Sequence, residues 1–347
     1  MDDEPANLTR VGFAALDGWA DDDHAAAFRA FLNSCHAAPP VDATRAAALA
    51  LGDGVNAETA RAFFESHFVP HVVAAAEPGL VTGYYEPEVR GAYRRDERFA
   101  IPVYRRPDNL ITLGAESERA RFNNRISGMR QTPDGGVPYY TRAEIDAGAL
   151  TGQGLELLYL DDPIELFYMQ VQGSGLVHLD DGSQVRLTYA GKNGHPYTSI
   201  GKCLVERGEM SLDEIDMEKV KAWLRTDRAR GHALMAENLS YIFFRALGAE
   251  EGRDGPLGVE GKPLTSRRSL AVDTAHHALG TPIFVTAPGL KTPEGSPFRR
   301  LMIGQDVGSA IGGIQRGDIF WGTGEAAGAI AGRTRHEAIF IVLLPKP

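Results

Sequence analysis

The chain has 347 residues, of which 43% are hydrophobic and 24% charged, and its formal net charge is −10 at pH 7. This balance is typical of a globular protein with room for two domains. A negative net charge without a block of Lys or Arg argues against a nucleic-acid partner. No apolar run reaches the roughly 20 residues of a bilayer-crossing helix, so no transmembrane segment is predicted in this chain.

The first 80 residues carry the pattern of amphipathic helices. Asp21 to Asp23 are N-cap candidates for a first helix. Its apolar face repeats at i, i+3, i+4 and i+7, through Phe28, Phe31, Leu32 and Cys35. A second helix is predicted from near Asn56, with one face formed by Ala60, Phe63, Phe64 and Phe68.

From Leu80 to about Tyr197 the sequence predicts a mostly β region. Short β-type runs are separated by turns rich in Pro, Gly and Asp: VTGYY, AIPVYRR, NLITL, LELLYL, FYMQVQGSG and VRLTYAG. A capping-box pattern, SLDE at Ser211 to Glu214, then predicts helices that extend through HALMAENLSYIFFRAL. After Gly248 the runs LAVDT, TPIFV, RLMIG, DIFWG and AIFIVLL predict the strands of a small barrel.

Common catalytic and metal-binding motifs are missing from the sequence. There is no P-loop, no GxSxG nucleophile elbow and no HExxH metal motif. Cys35 and Cys203 have no CxxC spacing, which predicts free thiols and no zinc cluster. His276 and His277 are adjacent, so on a strand they would point to opposite faces and not chelate one metal ion. These absences argue against nucleotide, serine-hydrolase and zinc-peptidase chemistry.

Three aspartates stand beside strand-like apolar runs: Asp273 in LAVDT, Asp306 in GQDVGSAIGG and Asp318 in RGDIFWG. A carboxyl group buried beside Phe320 and Trp321 would have a raised pKa, as a general acid requires. An aspartate before a strand is also a common turn or scaffold residue. The residues alone leave both interpretations open for each aspartate.

A second set of residues mixes flat aromatic faces with amide and hydroxyl groups. It comprises Tyr84, Tyr85, Gln170, Gln172, Ser174, Lys192, Asn193, His195 and Tyr197. Such a mixture suits a sugar polymer, which presents apolar ring faces edged by hydroxyls. It equally suits a turn-rich sheet edge, where Gly, Asn and Ser are turn formers.

At these residues the chain resembles the membrane-bound lytic transglycosylase A family of bacterial murein-degrading enzymes. The resemblance runs from TGYYEP through MQVQGSG, TYAGKNGHPYTSIGK, SYIFFR and GPLGVEGKPLTSRRSLAVD to QDVGSAIGGIQRGDIFWG. The last part is similar to the 3D domain, whose three aspartates fall on Asp273, Asp306 and Asp318. IQRGD stands where some relatives carry a histidine and an aromatic residue before the aspartate.

The resemblance implies a mainly β fold with N-terminal helices and two domains. Residues 1–87 and 237–347 would form a discontinuous domain with a six-stranded double-psi β-barrel, and residues 88–236 an inserted β-rich, glycan-binding domain. A groove between the two would hold the glycan. The implied location is the bacterial cell envelope, in the periplasm. The start MDDEPANLTR lacks signal-peptide features, so anchoring at the outer membrane would depend on a removed signal or lipid-attachment segment.

The resemblance also implies the chemistry, with peptidoglycan glycan strands as partner and other cell-wall enzymes as further candidates. Asp318 would be the acid and then the base of a non-hydrolytic cleavage, supported by Asp306. The implied reaction needs neither a metal nor an organic cofactor. Residues implied to position the glycan are Thr82, Gly83, Tyr84, Gln170, Gln172, Ser174 and Asp273. Two alternatives remain open at this stage: an inverting glycan hydrolase on the same barrel, and a non-catalytic, expansin-like glycan-binding protein.

Overall fold

A computed structural model describes residues 7–37, 42–74, 78–114, 116–120, 122–293 and 295–346. The chain divides into two compact units. The first unit comprises Met1–Tyr85, Leu257–Gly322 and Arg333–Pro347, and the second comprises Glu86–Pro256 and Thr323–Gly332. Each unit is therefore assembled from separate stretches of the sequence.

The fold is mainly β, with helices in both units. The strands are β1 (Asn7–Arg10), β2 (Phe68–Ala74), β3 (Gly79–Glu86), β4 (Glu88–Ala92), β5 (Ile101–Tyr104), β6 (Ile111–Thr112), β7 (Gly128–Thr132), β8 (Gly135–Pro138), β9 (Glu156–Leu160), β10 (Ser174–Leu179), β11 (Gln184–Lys192), β12 (Ile242–Ala246), β13 (Ser269–Val272), β14 (Pro282–Lys291), β15 (Pro297–Asp306), β16 (Arg316–Thr323) and β17 (Arg335–Pro345). The helices are α1 (His24–Cys35), α2 (Ala43–Leu51), α3 (Ala57–His67), α4 (Glu116–Ala120), α5 (Arg142–Asp146), α6 (Pro163–Gln172), α7 (Ile200–Glu206), α8 (Met217–Thr226), α9 (Arg228–Ala236) and α10 (Glu325–Ala331), with a 3₁₀ turn at Phe13–Ala15.

Six strands of the first unit form a closed ring. The hydrogen-bonded order is β17-β14-β15-β13-β16-β3, and β3 pairs back onto β17. In this ring β13 and β15 run parallel to each other, while the pairs β13–β16, β14–β15 and β14–β17 are antiparallel. Strands β2 and β1 continue the sheet outward from β17. Closure leaves no free edge within the ring itself.

The two predicted N-terminal helices are present, and they pack against this sheet. Asp23 accepts a hydrogen bond from the backbone N–H of Ala26, and Asn56 accepts one from Thr59, so both helices start at side-chain caps. Their phenylalanine faces pack into a core that includes Phe284 of β14. The prediction was wrong for Phe68, which begins β2 and ends α3. The first 80 residues also contain the strands β1 and β2.

The second unit contains two sheets and seven of the helices, α4 to α10, in the part of the chain described. A six-stranded sheet has the order β12-β11-β10-β4-β9-β5, and a three-stranded sheet has the order β6-β7-β8. One core fills the face of the larger sheet beneath α6, and another joins α6 to α7, α8 and α9.

Two sequence predictions in this unit were wrong. The run FYMQVQ belongs to helix α6, which begins at Asp162 as N-cap with Pro163 at its first position and ends at Gly173. The segment YIFFRAL, predicted to be helical, contains strand β12, which pairs with β11. Both runs are short and largely apolar, and for such runs periodicity does not separate helix from strand.

Two smaller expectations also differ. The SLDE pattern does not start a helix, because α8 begins at Met217 with Asp216 as its cap. His276 and His277 lie in a turn after β13 and not on a strand. Among the described residues, no helix is long and apolar enough to cross a bilayer.

Candidate functional site

Two neighbouring strands of the ring present polar residues on alternate positions. Thr82 and Tyr84 are two residues apart on β3, and Arg316 and Asp318 are two apart on β16. Side chains spaced by two share one face of a strand, and β3 and β16 are hydrogen-bonded neighbours. The pairing therefore brings residues from opposite ends of the sequence side by side.

Asp318 receives one strong hydrogen bond from this ladder. The Thr82 hydroxyl donates to Oδ1 of Asp318 at 2.6 Å, and Nη2 of Arg316 donates to the same hydroxyl oxygen at 2.9 Å. Burial raises the pKa of Asp318 to about 6, against the opposing effects of the Thr82 hydrogen bond and the Arg316 charge. The side chain is nevertheless partly accessible to solvent. It is a carboxyl group that protein surrounds closely but does not seal off.

Asp306, the last residue of β15, is held by more donors. The Tyr84 hydroxyl donates to its Oδ2 at 3.0 Å, and the backbone N–H groups of Val307 and Val259 also bond to the carboxyl group. Burial raises its pKa to about 6, and the Asp318 charge adds to the increase. The ring of Tyr84 packs against that of Phe320 on β16, with 5.3 Å between the ring centroids.

Strand register places the two carboxyl groups in one row. Ala271 of β13 pairs with Asp306 on one side and with Asp318 on the other. Two strand spacings separate the two aspartates, so their Cα atoms lie roughly 9–10 Å apart. Residues paired across strands direct their side chains to the same face, so both carboxyl groups leave one side of the sheet.

The register of β15 against β13 depends on Gln305, which the sequence did not indicate as a site residue. Leu270 pairs with Gly304 while Ala271 pairs with Asp306, so Gln305 is the extra residue of a β-bulge. Its amide donates to Ala30 O at 2.9 Å and to Ser34 Oγ at 3.0 Å. Its Oε1 accepts a 2.6 Å bond from Ser269 Oγ. A polar residue directly after the apolar run RLMIG is the only sequence signal for this role.

The contacts of Asp273 favour a scaffold role. Its carboxylate accepts hydrogen bonds from the backbone N–H of Ala275 at 2.9 Å and of Gly313 at 2.8 Å. These bonds hold its pKa below the usual value. Asp273 thus ties the turn after β13 to the glycine-rich loop before β16. The same loop is held at Ile314, whose carbonyl oxygen lies 2.7 Å from Nε2 of His277.

The remaining predicted glycan residues are distributed between the units. Gly83 lies between Thr82 and Tyr84 on β3, whereas Gln170, Gln172 and Ser174 belong to the second unit. Gln170 is buried on α6 and donates to Ile242 O at 3.1 Å. Gly173 has a φ of 84° and separates α6 from Ser174, the first residue of β10. The MQVQGSG motif is therefore a helix end, a left-handed glycine and a strand start.

The GKNGHPY motif forms a buried junction. The side-chain amide of Asn193 donates to Tyr140 O and Leu239 O, and its oxygen accepts from the backbone N–H of Tyr241. Gly194 has a φ of 84°, and a Cβ there would lie 1.9 Å from Gly128 N. For Asn193 these contacts favour the structural interpretation over the sugar-binding one.

No group of three or more metal-ligating side chains converges in the part of the chain described. Cys35 and Cys203 are both free thiols.

Family models and relatives match most of the chain. The MltA specific insert domain matches residues 80–245, and the 3D domain matches residues 268–344. A membrane-bound lytic murein transglycosylase A from Vibrio cholerae is 36% identical over 262 residues, covering 74% of this chain and 63% of the relative. The Escherichia coli K12 protein of the same name is 34% identical over 271 residues, covering 77% and 66%. The matched part thus spans somewhat less than two thirds of these relatives.

Solved structures match over nearly the full chain. A membrane-bound lytic murein transglycosylase from Agrobacterium tumefaciens is 35% identical with a TM-score of 0.89, covering 98% of both chains. MltA from Neisseria gonorrhoeae is 34% identical with a TM-score of 0.85, covering 99% of this chain and 94% of that one. Escherichia coli MltA with bound chitohexaose is 29% identical with a TM-score of 0.73, covering 100% and 96%. Because these matches extend over nearly the whole chain, the chain belongs to the membrane-bound lytic murein transglycosylase A family.

Proposed function

We propose that the protein is a lytic transglycosylase of peptidoglycan. It cleaves the β-1,4 bond between N-acetylmuramic acid and N-acetylglucosamine without water and leaves 1,6-anhydro-N-acetylmuramic acid ends. Family membership supports this reaction, and a relative binds chitohexaose, a glycan, in its crystal structure. The observation that carries the proposal is the state of Asp318, a partly accessible carboxyl group with a pKa raised to about 6.

Asp318 first acts as the general acid. In its protonated form it donates to the glycosidic oxygen as the bond to C1 of the muramic acid breaks and oxocarbenium character develops. The same group, now a carboxylate, accepts the proton of the C6 hydroxyl while that oxygen attacks C1. One proton leaves Asp318 and one returns. The reaction therefore needs no second carboxyl group, and it consumes no water. The nucleophile is tethered to the reacting sugar, which lowers the entropic part of the barrier.

The hydrogen-bond partners distinguish the two aspartates. Asp306 is bonded by Tyr84 and two backbone N–H groups, which stabilise its charged form and fix its position. Asp318 has the Thr82 hydroxyl, which leaves its second oxygen for the substrate. We therefore assign proton transfer to Asp318 and support to Asp306.

For glycan contact we propose Thr82, Gly83 and Tyr84 beside the acid, together with Gln172 and Ser174 of the second unit. The contacts of Gln170 and Asp273 favour positioning roles for these two residues, through Ile242 and the glycine-rich loop respectively. We also propose that the closed six-stranded ring has double-psi topology and that residues 88–236 act as an inserted glycan-binding domain. The family name supports a place in the cell envelope, on the periplasmic side.

The spacing of the aspartates supports one alternative, an inverting hydrolase. Such enzymes hold two carboxyl groups about 6.5–9.5 Å apart with a water between them. The row geometry, with Cα atoms roughly 9–10 Å apart, is compatible with that spacing. In this case Asp306 would activate water, and the product would carry a reducing end.

Mass spectrometry of fragments released from purified sacculi distinguishes the reactions. We expect fragments with 1,6-anhydro ends. Each is about 18 mass units lighter than the corresponding hydrolysis product, because no water molecule has been added. Asp318→Asn is expected to keep the fold and lose roughly 10²–10⁴-fold in rate. Asp134→Asn, in an exposed turn, is the matched control. Near-normal turnover by Asp318→Asn overturns the assignment of the acid, and reducing ends overturn the transglycosylase.

A further inference from the structure

A cavity of about 590 Å³ lies entirely within the second unit. Its wall is built from the strands β5 and β9 and the helices α5, α6, α8 and α9. Small-molecule sites usually have volumes of about 300–1,000 Å³. Of the described residues that line it, none has been assigned above to proton transfer or glycan contact.

The first notable wall residue is Arg142, a cation that is only 3% exposed. Its Nε donates to Asn238 O at 3.1 Å and its Nη2 to Ser240 O at 2.8 Å, while the rings of Phe167 and Tyr241 lie 4.7 and 5.2 Å from its Cζ. Within the described ranges, no acceptor bonds its Nη1 and no carboxylate comes within ion-pair distance. The charge of Asp146 acts on Arg142 only from beyond ion-pair distance, so this rigidly held guanidinium can still take an anionic partner in direct contact.

The second is Asp146, which lies one turn further along α5. The residue lines the same cavity, and its carboxylate has no hydrogen-bond donor among the described side chains and backbone groups. The residue is accessible to solvent. The protein around it nevertheless raises the pKa of its carboxyl group by burial, and the charges of Arg142 and His232 oppose this increase. Accessibility together with crowding is expected for a side chain on a concave wall.

The wall as a whole is balanced in charge and partly apolar. Four arginines contribute positive charge: Arg95, Arg142, Arg225 and Arg228. Four carboxylates offset them: Asp146, Glu156, Asp161 and Asp162. Aliphatic and aromatic side chains complete the wall, among them Ile145, Leu166 and Phe167. Equal numbers of positive and negative side chains do not favour a polyanion, and together with the apolar groups they match a ligand that carries both charges on an apolar body.

We propose that this cavity binds a zwitterionic amino acid or short peptide, with the ligand carboxylate at Arg142, its ammonium group at Asp146 and its aliphatic part against the apolar wall. This site does not depend on the transglycosylase assignment. If peptidoglycan is the substrate, the ligand has two sources with the same chemistry: a peptide stem still attached to the glycan, or a free peptide released from it.

Isothermal titration calorimetry on the full chain tests the site. The ligand is the free peptide L-alanyl-γ-D-glutamyl-meso-diaminopimelyl-D-alanine, and the same peptide acetylated on its amines is the control ligand. We expect a Kd of about 1 mM or tighter for the free peptide. Asp146→Asn is expected to weaken it at least ~10-fold, the usual scale for losing one hydrogen bond between charged groups.

Asp146→Asn breaks no hydrogen bond within the described structure, so it is expected to fold normally. Arg142→Lys is the second variant, with a loss of similar size because the planar donor is removed. The exposed Asp213→Asn, outside the cavity, should bind like the wild type. No binding up to about 10 mM, equal binding by Asp146→Asn, or equal binding of the acetylated peptide overturns the proposal.

A second titration distinguishes the sources. It uses the Asp318→Asn variant with glycan fragments that carry or lack peptide stems. Binding of the free peptide alone indicates a site for released peptide, whereas stronger binding of stem-bearing than of stem-free fragments indicates the attached stem. Because the readout is binding, failure of the catalytic assignment leaves this test intact.

Discussion

Asp306 and Asp318 stand in one row across the barrel sheet, separated only by Ala271. The row makes the two carboxyl groups electrostatic neighbours, and the charge on Asp318 raises the pKa of Asp306. Each accepts a side-chain hydrogen bond from β3, Asp318 from Thr82 and Asp306 from Tyr84. A short segment of β3 therefore influences the protonation of both aspartates.

Arg316 is expected to set the alkaline limit of activity. Its charge lowers the pKa of Asp318, which burial raises to about 6. The acid must be protonated, so activity is expected to fall as pH rises above about 6. Arg316→Gln removes the opposing charge and moves this limb of the kcat/KM profile to higher pH. Arg29→Gln, exposed on α1, is the charge-matched control. A uniformly lower profile with an unmoved limb would mean that Arg316 is only structural.

The raised pKa of Asp318 also has a consequence for stability. The unfolded group titrates near 3.9 and the folded one at about 6, so between these values the folded state binds more protons. Stability then decreases as pH rises through this window. Asp318→Asn removes the burial of a charge, and we expect its Tm to exceed that of the wild type at pH 8, with the difference vanishing near pH 3. Equal Tm values at pH 8 contradict the raised pKa.

The bulge residue Gln305 is expected to matter for both stability and rate. Gln305→Leu has similar volume but leaves the Ser269 hydroxyl and the Ala30 carbonyl without their partner. We expect a loss of roughly 2–6 kcal/mol in the free energy of urea unfolding, that is, about 1–3 kcal/mol for each of the two unpaired buried groups. Because the bulge places Asp306 in the row with Asp318, kcat should fall in molecules that remain folded. Gln131→Leu, at an exposed position, should change neither quantity.

Asp273 offers a test of support against substrate contact. The Asp273 carboxylate uses a separate oxygen for each N–H group, Oδ1 for Ala275 and Oδ2 for Gly313, so Asp273→Asn keeps one acceptor and Asp273→Ala keeps none. We expect the loss of unfolding free energy to be smaller for Asp273→Asn than for Asp273→Ala, which costs about 1–3 kcal/mol, with KM nearly unchanged in the Asn variant. A KM that rises in Asp273→Asn while Tm stays constant would instead favour contact with the glycan.

Local signals in the sequence predicted several elements correctly. The caps Asp23 and Asn56 and the phenylalanine repeats located α1 and α3, because capping and amphipathic packing act within a few residues. The runs after Gly248 became strands β13 to β17, although β14 and β15 extend well beyond the runs. These features depend on neighbours in sequence, which a single chain displays directly.

Non-local features were not predictable in the same way. Helix α6 and strand β12 are both apolar runs whose form depends on burial between other elements. The bulge at Gln305 requires a partner strand, since a bulge is defined by register and not by composition. The site roles of Asp318 and Asp306 came from resemblance to a family, and their pairing with Thr82 and Tyr84 emerges only when β3 meets β16. Their catalytic roles stay predictions until the variants are measured.

Ring closure has a consequence for how the protein folds. Strand β17, near the carboxyl end, pairs with β2 and β3, which are near the amino end. During synthesis, most of the chain between these strands and β17 must be made before β17 can pair with them. Contacts between residues so distant in sequence form slowly, because loop-closure entropy is lost before any pairing energy is gained. The barrel is thus expected to mature late, and its unpaired strands make the nascent chain a natural client for chaperones.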